Sequence, residues 1–219
     1  MARRIVFVLG AMLCVFTLSL GYAAAADSVS ELQNKEPGTS ETSIGSLVAD
    51  AFRSQMRAEV GFVAAGDLKA SDAALAAGKV KPEEVVAYLA YPNDKLAVLS
   101  LDGKTIRAAL ERSVSSYPRP GLSFLQVSGL TYAFDPKKPS GQRVDNIYIG
   151  NAPISADKKY TVAVMKSLAD GALGYWKIWT KENIITKSES MTCSDALQRF
   201  LLANPKLDYS KQNRINAAN

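Results

Sequence analysis

Residues 101–135 limit the possible folds of this chain more than any other segment. They read LDGKTIRAALERSVSSYPRPGLSFLQVSGLTYAFD. This order predicts the end of a strand, an Asp-Gly turn, an amphipathic helix, a proline- and glycine-rich loop and a second strand. Helical spacing places one set of side chains on a common face of the helix: Ile106, Leu110, Ser113, Val114 and Tyr117. A helix packed against a sheet is the expected result.

The rest of the chain mixes short helices and strands without a regular βαβ repeat. An i, i+3, i+4 apolar pattern predicts a helix capped by Ser43, Pro82 predicts the start of another helix, and Thr192 or Ser194 caps the last. Residues 71–77 are predicted to form a helical turn. β-branched and alternating residues predict strands at 60–63, 95–101, 143–149, 160–165 and 184–186. This mixture predicts an α+β fold of mixed β-sheets packed with helices.

The N-terminus, residues 1–26, has the composition of an export signal peptide. Arg3 and Arg4 precede an apolar run at 5–20, and small residues offer a cleavage site before Asp27. The run is shorter than the about 20 residues that span a bilayer. We therefore expect a periplasmic or extracellular protein with no membrane span after cleavage. The general secretory route is favoured, and twin-arginine export remains an alternative.

The rest of the chain is predicted to form one domain with polar ends. Residues 27–40 are predicted to be a flexible leader, 41–209 the folded domain, and 210–219 a mobile tail. The net charge of +5 is dispersed and contains no basic block, so a nucleic-acid partner is not expected. Cys193 is interpreted as a buried thiol, with intermolecular pairing or a reactive role as alternatives.

The chain contains no histidine. This excludes every catalytic triad that uses imidazole as its base and removes the commonest nitrogen ligand of transition metals. Nucleophile-elbow, phosphate-loop and dinucleotide-binding motifs are also absent. The adjacent Glu83 and Glu84 follow Pro82 and are expected in the first turn of a helix, where the dipole favours carboxylates. We expect no catalytic residue, metal site or cofactor in this chain.

Several motifs in a fixed order carry a resemblance. The pattern E-x-x-x-G-x-L-x-x-D-A begins at Glu41, AEVGFVAAGDLKA occupies 58–70, an Asp-Gly turn stands at 102–103, and FLQVSGL occupies 124–130. Over residues 41–186 the chain resembles the C-terminal domain of the secreted 5′-nucleotidases and UDP-sugar hydrolases. The resemblance implies a domain that holds a nucleotide or nucleoside-like molecule. In the family, a separate metallophosphatase domain holds the metal ions and hydrolyses the phosphoester.

The resemblance also implies four ligand-binding positions. Phe124 matches one of two phenylalanines that sandwich the base in the family, and Ser167 occupies the position of the other. Gly66 belongs to the glycine loop that follows a strand. Lys69 replaces an arginine of that loop and keeps the charge without the planar fork. Phe124 as a core residue and Lys69 as an ordinary surface lysine are the alternative interpretations.

Other departures from the family pattern fall on the same expected pocket. Ala64 replaces the asparagine of the glycine loop, Leu173 replaces an aspartate, and 91–94 reads YPND in place of P-F-G-N. Each lost stacking or hydrogen-bonding contact removes about 1–3 kcal/mol. The pocket is therefore predicted to be degenerate for nucleotides. Trp176 and Trp179 are interpreted as packing residues, with a replacement stacking wall as the alternative.

Three functions follow from these observations. The leading hypothesis is an exported, non-catalytic module that binds a small ligand or a protein partner. The alternative is the substrate-recognition subunit of a split 5′-nucleotidase, whose metallophosphatase is separately encoded and acts in nucleotide catabolism. Hydrolysis by the chain alone is the third and least favoured. The oligomeric state is left open.

Overall fold

The structure is a computed structural model that describes residues 25–211 and 213–218. Most of the predicted signal peptide, residues 1–24, lies outside the described residues. The helices are α1 (Ser43–Gln55), α2 (Pro82–Val86), α3 (Gly103–Ser113), α4 (Lys166–Ala169) and α5 (Cys193–Ala203). The first strands are β1 (Ala26–Ser28), β2 (Leu32–Asn34), β3 (Val60–Ala64), β4 (Ser71–Leu75), β5 (Gly78–Val80), β6 (Lys95–Asp102) and β7 (Leu125–Ser128). The remaining strands are β8 (Leu130–Phe134), β9 (Val144–Ile149), β10 (Ala152–Pro153), β11 (Lys159–Met165), β12 (Ile184–Thr192), β13 (Lys206–Leu207) and β14 (Ile215–Ala217).

A five-stranded sheet in the order β12-β6-β11-β3-β7 forms the centre of the molecule. β11 and β3 run parallel, while the other neighbouring pairs are antiparallel. Smaller sheets surround it: β10-β9-β8-β14, β13-β1-β5 and β2-β4. Parallel and antiparallel pairs within one sheet, together with helices, confirm the predicted α+β fold with mixed sheets.

The central sheet is buried on both faces. In β11, Val162 and Val164 belong to one apolar core, and Ala163 and Met165 belong to the other. This alternation follows from the two-residue period of a strand. The first core lies toward α3 and the four-stranded sheet, and the second lies toward α1 and α5. Two opposite cores require nearly continuous apolar sequence in the inner strands.

Glycine permits the close packing of α1 on the sheet. A Cβ placed on Gly61 of β3 would lie 2.5 Å from the carbonyl oxygen of Ala49, which is backbone that cannot move aside. α1 is capped by Thr42, whose Oγ1 accepts a hydrogen bond from the Gly45 N–H at 3.0 Å. Thr42, and not the predicted Ser43, is therefore the N-cap residue.

The segment predicted as a flexible leader, 27–40, instead contains strands β1 and β2. Leu32 and Asn34 are buried, and the Asn34 side chain donates to the Lys69 carbonyl oxygen and accepts from Thr42. Gln126 of β7 is also buried and donates to the carbonyl oxygens of Pro37 and Ser40. The flexible-leader prediction is wrong because polar side chains, which give no apolar periodicity, fix this segment.

The predicted mobile tail, 210–219, is likewise wrong in its central part. β14 pairs in parallel with β8. The guanidinium of Arg214 binds both carboxylate oxygens of Asp50, at 2.8 and 2.9 Å. A charged residue in a polar sequence thus anchors the tail to α1.

The helical turn predicted at 71–77 is wrong, whereas the predicted burial of Cys193 is confirmed. Residues 71–77, predicted as a helical turn, hold strand β4, because β2 offers an edge to which Ser71–Leu75 pairs. Cys193 is buried, as predicted, and burial raises the pKa of its thiol far above the ordinary value. Among the helices that the structure describes, none has the length and apolar character needed to cross a membrane.

Candidate functional site

A cleft of about 620 Å³ opens at one edge of the central sheet. The parallel strands β3 and β11 both end at this edge, and the antiparallel β6 begins there, since Met165 pairs with Leu96. The segments that continue from these strand ends therefore meet around one opening. The lining residues are Gly66, Asp67, Ala90, Tyr91, Pro92, Asn93, Asp94, Leu122, Ser167, Ala172 and Leu173.

The first wall is the 3₁₀ turn Ala65–Asp67, which directly follows β3. The N–H groups of Ala65 and Gly66 donate to the carbonyl oxygens of Phe124 and Leu122, at 2.7 and 2.9 Å. A Cβ on Gly66 would lie 3.3 Å from side-chain atoms of Leu122 and Leu173. Glycine thus lets these two leucines approach the turn.

Asp67 is the most unusual residue of the cleft. Its side chain is only 5% exposed, and its Oδ2 accepts a hydrogen bond from the Ala64 N–H at 3.2 Å. The pKa of this carboxyl is raised to about 6: burial raises it most, the Ala64 hydrogen bond lowers it in part, and the nearby charge of Asp94 also raises it. A buried carboxyl with a raised pKa in a cleft is typical of functional sites.

The second wall is the loop before β6, residues 91–94. The Asp94 Oδ1 accepts a hydrogen bond from the Lys95 N–H at 2.8 Å, and the Asp94 N–H donates to the Tyr91 carbonyl oxygen. Tyr91 is 59% exposed and lies at the mouth of the cleft. This wall therefore offers a second carboxylate and an exposed aromatic ring.

The third wall follows β11 and includes α4 and a left-handed turn. The Ser167 Oγ is buried and has no hydrogen-bond partner among the described residues. Gly171 and Leu173 have φ values of 97° and 56°. Arg112 stabilises the conformation of Leu173, because its Nη2 donates a hydrogen bond to the Leu173 carbonyl oxygen at 2.7 Å. A leucine in this conformation is strained, and such strain is concentrated at functional sites.

The structure brings together two of the four residues expected to bind ligand. Gly66 and Ser167 line the same cleft. Phe124 is 1% exposed and packs in the first core, so it offers no surface to a ligand and fits the alternative interpretation as a core residue. Lys69 lines a separate depression of about 490 Å³ with Glu84 and Tyr88. The four positions therefore do not converge on one site.

The two tryptophans have different environments. Trp179 is 2% exposed and stacks on Tyr175 with 4.6 Å between ring centroids, in agreement with the packing interpretation. Trp176 is 65% exposed, does not line the cleft, and lies near the Lys177 ammonium. No stacking wall forms from this pair.

Sequence reasoning placed residues 91–94, with Tyr91 and Asp94, in the expected pocket but gave them no role, and it missed Asp67 and Leu122. The sequence offered one signal for the two carboxylates, because Asp67 lies in the turn directly after one strand and Asp94 directly precedes another. A lone carboxylate in a turn is usually solvated, however, and only the strand order shows that these two share a cleft.

The electrostatics of the cleft are acidic. Its lining includes two carboxylates and neither lysine nor arginine. The nearby Lys166 ammonium pairs with Asp170. A two-metal hydrolytic centre does not fit these residues, because the chain lacks histidine and the described residues contain no group of three or more histidine, cysteine, aspartate or glutamate side chains placed to hold a metal ion.

Comparison with known proteins identifies related sequences. Residues 20–181 match the family model described as the 5′-nucleotidase C-terminal domain. A trifunctional nucleotide phosphoesterase of Bacillus subtilis is 28% identical over 152 residues, which cover 65% of this chain and 10% of the relative. A 5′-nucleotidase of Diplobatis ommata is 30% identical over 106 residues, which cover 45% of this chain and 18% of the relative.

Solved structures share the fold. The crystal structure of a 5′-nucleotidase precursor from Thermus thermophilus superposes with a TM-score of 0.78 at 25% identity, and the match covers 90% of this chain and 40% of that chain. This chain therefore spans well under half the length of the relatives that it matches.

Proposed function

The chain belongs to the family of 5′-nucleotidase C-terminal domains, and from this premise we propose that it is an exported, non-catalytic binding module whose cleft no longer suits nucleotides. The observation that carries this proposal is the acidic lining of the cleft, which presents Asp67 and Asp94 without a lysine or arginine. A nucleotide phosphate needs the opposite charge. The export part of the proposal rests on the composition of residues 1–26.

Electrostatics explains why the cleft disfavours a phosphate group. Two like unit charges about 5 Å apart repel by roughly 3 kcal/mol at an effective dielectric constant of about 20. A difference of 1.4 kcal/mol corresponds to a tenfold change in affinity. Repulsion by one carboxylate therefore moves a micromolar nucleotide site toward millimolar affinity. The absence of arginine also removes the bidentate contacts that hold phosphate oxygens.

Calorimetry and a phosphate-release assay test the proposal. We expect AMP and UDP-glucose to bind more weakly than about 1 mM, and we expect adenosine to bind no more weakly than AMP. We also expect no phosphate release from either nucleotide in the presence of manganese or zinc. Asp94→Lys places a cation in the cleft and should strengthen AMP binding at least tenfold, while Asp157→Lys, outside the cleft, should not.

Two outcomes contradict the proposal. Sustained phosphate release by a contaminant-free, metal-loaded sample would show that the domain is catalytic. Micromolar AMP binding by the unmodified chain would show that the acidic cleft does not exclude nucleotides.

A second candidate function is substrate recognition within a split 5′-nucleotidase. It is favoured by one specific observation: the relatives are whole nucleotidases and phosphoesterases of which this chain covers a minor part. A separately encoded metallophosphatase would then supply the metal ions and the nucleophile. Phosphate release from AMP only after the two proteins are mixed would support this function, and a failure to form any complex would argue against it.

A further inference from the structure

One oxygen of the Asp67 carboxylate has no hydrogen-bond partner among the described residues. Oδ2 accepts from the Ala64 N–H, whereas Oδ1 accepts no hydrogen bond from any described residue. The residue is only 5% exposed, yet it lines the cleft. A buried carboxylate is unfavourable unless its oxygens are paired. Oδ1 is not among the fully buried unpaired atoms, so this oxygen is open to the cleft and can accept a hydrogen bond from a bound molecule.

A second polar group without a partner belongs to another residue that lines the cleft. The Ser167 Oγ is buried without a partner among the described residues, and Ser167 is one of the residues that line the cleft. Its position belongs to α4, while Asp67 belongs to the segment after β3. Two walls of the cleft therefore each carry a polar atom that no described residue satisfies.

The remaining walls suit a flat apolar body. Tyr91 is 59% exposed and Leu122 is 66% exposed, and both line the cleft with Pro92 and Leu173. Large apolar side chains at this exposure mark a binding surface when they lie together in a concave site. An aromatic ring beside carboxylates also attracts cations by its quadrupole.

We propose that the cleft binds a small organic cation, a protonated primary amine attached to a flat apolar body, with its ammonium group on the Asp67 and Asp94 carboxylates. This inference rests on the proposed function, because it names the ligand class of the same cleft. An ammonium group has three N–H donors and no acceptor. Those donors match the carboxylate oxygens on two walls of the cleft, which belong to Asp67 and Asp94.

Three probes that share one ring separate charge from apolar contact. Calorimetry at pH 7.5 would compare 2-phenylethylamine, 2-phenylethanol and 3-phenylpropionate, which carry one positive charge, no charge and one negative charge. We expect the amine to bind at least tenfold more tightly than the alcohol, and we expect no detectable binding of the carboxylate. Equal affinity for all three would overturn the proposal, since it would leave only apolar contact.

Substitution of the two cleft aspartates tests whether their charges cause the preference for the amine. Asp67→Asn and Asp94→Asn should each weaken binding of 2-phenylethylamine at least tenfold and leave the alcohol unchanged. Asparagine keeps the acceptor oxygen that each aspartate offers to the backbone, so both variants retain their local hydrogen bonds. Asp157→Asn is the matched control, because this carboxylate is 85% exposed and pairs with Lys104 outside the cleft. Unchanged amine affinity in both cleft variants would contradict the proposal.

Binding of the amine should also depend on pH. The pKa of Asp67 is raised to about 6 by burial, so lowering the pH from 7.5 to 5 protonates it and should weaken binding severalfold. The facing groups are Asp94, Tyr175 and Cys193, and the last two have pKa values raised well above their ordinary values. The Tyr175 hydroxyl and the Cys193 thiol therefore stay neutral between pH 5 and pH 7.5. Asp67→Asn should flatten the profile, and a profile unaltered by that variant would argue against the assignment.

The failure of this inference can be distinguished from that of the proposed function. Binding of adenosine without any preference for the amine overturns the cation assignment and leaves a binding module. Micromolar binding of AMP overturns both. Binding of none of the phenyl probes overturns the cation assignment alone, and leaves the proposed function to the nucleotide panel and phosphate assay.

Discussion

Asp67 is a residue whose charge the fold disfavours. Its carboxyl group is buried beside Asp94, and the single backbone hydrogen bond from Ala64 offsets only part of the desolvation. A residue that serves only stability would not be charged at this position, because a neutral isostere fills the same space. Natural proteins accept such losses of stability where a site requires the group.

We predict that Asp67→Asn stabilises the protein at neutral pH. An unfolded aspartate loses its proton near 3.8, whereas the folded one holds it until about 6. Between these values the folded state binds more protons, so stability falls as the pH rises through this window. The difference of about two pKa units corresponds to roughly 3 kcal/mol at pH 7. Urea denaturation from pH 4 to 8 should show this gain at pH 7 and little gain at pH 4.

The matched control is Asp157→Asn, which should not change the pH dependence of unfolding because this carboxylate is exposed. If Asp67→Asn were less stable than the unmodified chain at pH 7, the carboxylate would have to be stabilised in the folded state. The pKa of Asp67 would then lie below its ordinary value.

Gln126 in β7 joins the central sheet to the segment before α1. Its Oε1 accepts from the Thr42 N–H at 2.9 Å, and its Nε2 donates to the carbonyl oxygens of Pro37 and Ser40 at 3.0 and 2.8 Å. A Cβ on Gly45 would lie 2.5 Å from this side chain, so glycine at that position of α1 makes room for it. One buried amide thus satisfies three backbone groups of a segment with few apolar contacts.

Replacement of Gln126 by leucine should destabilise the protein by about 2–4 kcal/mol. Leucine is similar in volume but leaves the backbone groups of Pro37, Ser40 and Thr42 without their partner, and buried unpaired groups cost about 1–3 kcal/mol each. Chemical denaturation measures the loss, and hydrogen exchange should show faster exchange at Thr42. Gln142→Leu, on an exposed loop, should stay within about 0.5 kcal/mol. Loss of stability without faster exchange at Thr42 would argue against this role.

Elements with strong periodicity could be predicted from the sequence, while elements fixed by polar contacts could not. The helix after the Asp-Gly turn and the strand at 160–165 were predicted closely, because their apolar residues repeat at the helical or strand period. β4 was missed because its alanine-rich sequence favours a helix, and only pairing with β2 makes it a strand.

The candidate site was predictable in part for a similar reason. Gly66 and Ser167 followed from the resemblance, since each belongs to a motif with recognisable neighbours. Phe124 belongs to an equally recognisable motif, but a strand entrance faces either the core or the surface, and the sequence does not decide which. The resemblance placed residues 91–94 in the expected pocket without naming Asp67, and the order β6-β11-β3 shows why the two carboxylates share a cleft, because it brings two distant turns to one edge.

Both ends of the described chain are held by the body of the domain. β1 pairs with β5 and with β13, so residues near the N-terminus contact a strand that follows α5. Arg214 binds Asp50 of α1, and its backbone N–H donates to the Glu41 Oε2 at 2.7 Å. The Tyr209 hydroxyl donates to the same Asp50 carboxylate at 2.9 Å. A network of charged and polar side chains therefore joins the segment near the C-terminus to α1 and to the residues just before it.

Because this network is partly buried, we expect Arg214→Met to reduce the free energy of unfolding by about 2–4 kcal/mol. Removing one partner of a buried ion pair leaves the other charge uncompensated, which costs about 3–5 kcal/mol, and the side-chain exposure of 22% for Arg214 and 17% for Asp50 lowers that figure. Asp50→Asn removes the stranded charge, so the double variant should lose less than the sum of the single losses. Urea denaturation of the four proteins measures this coupling. Strictly additive losses would mean that the contact with Asp50 does not hold the C-terminal segment, and the pairing of β14 with β8 would then have to hold the tail without help from α1.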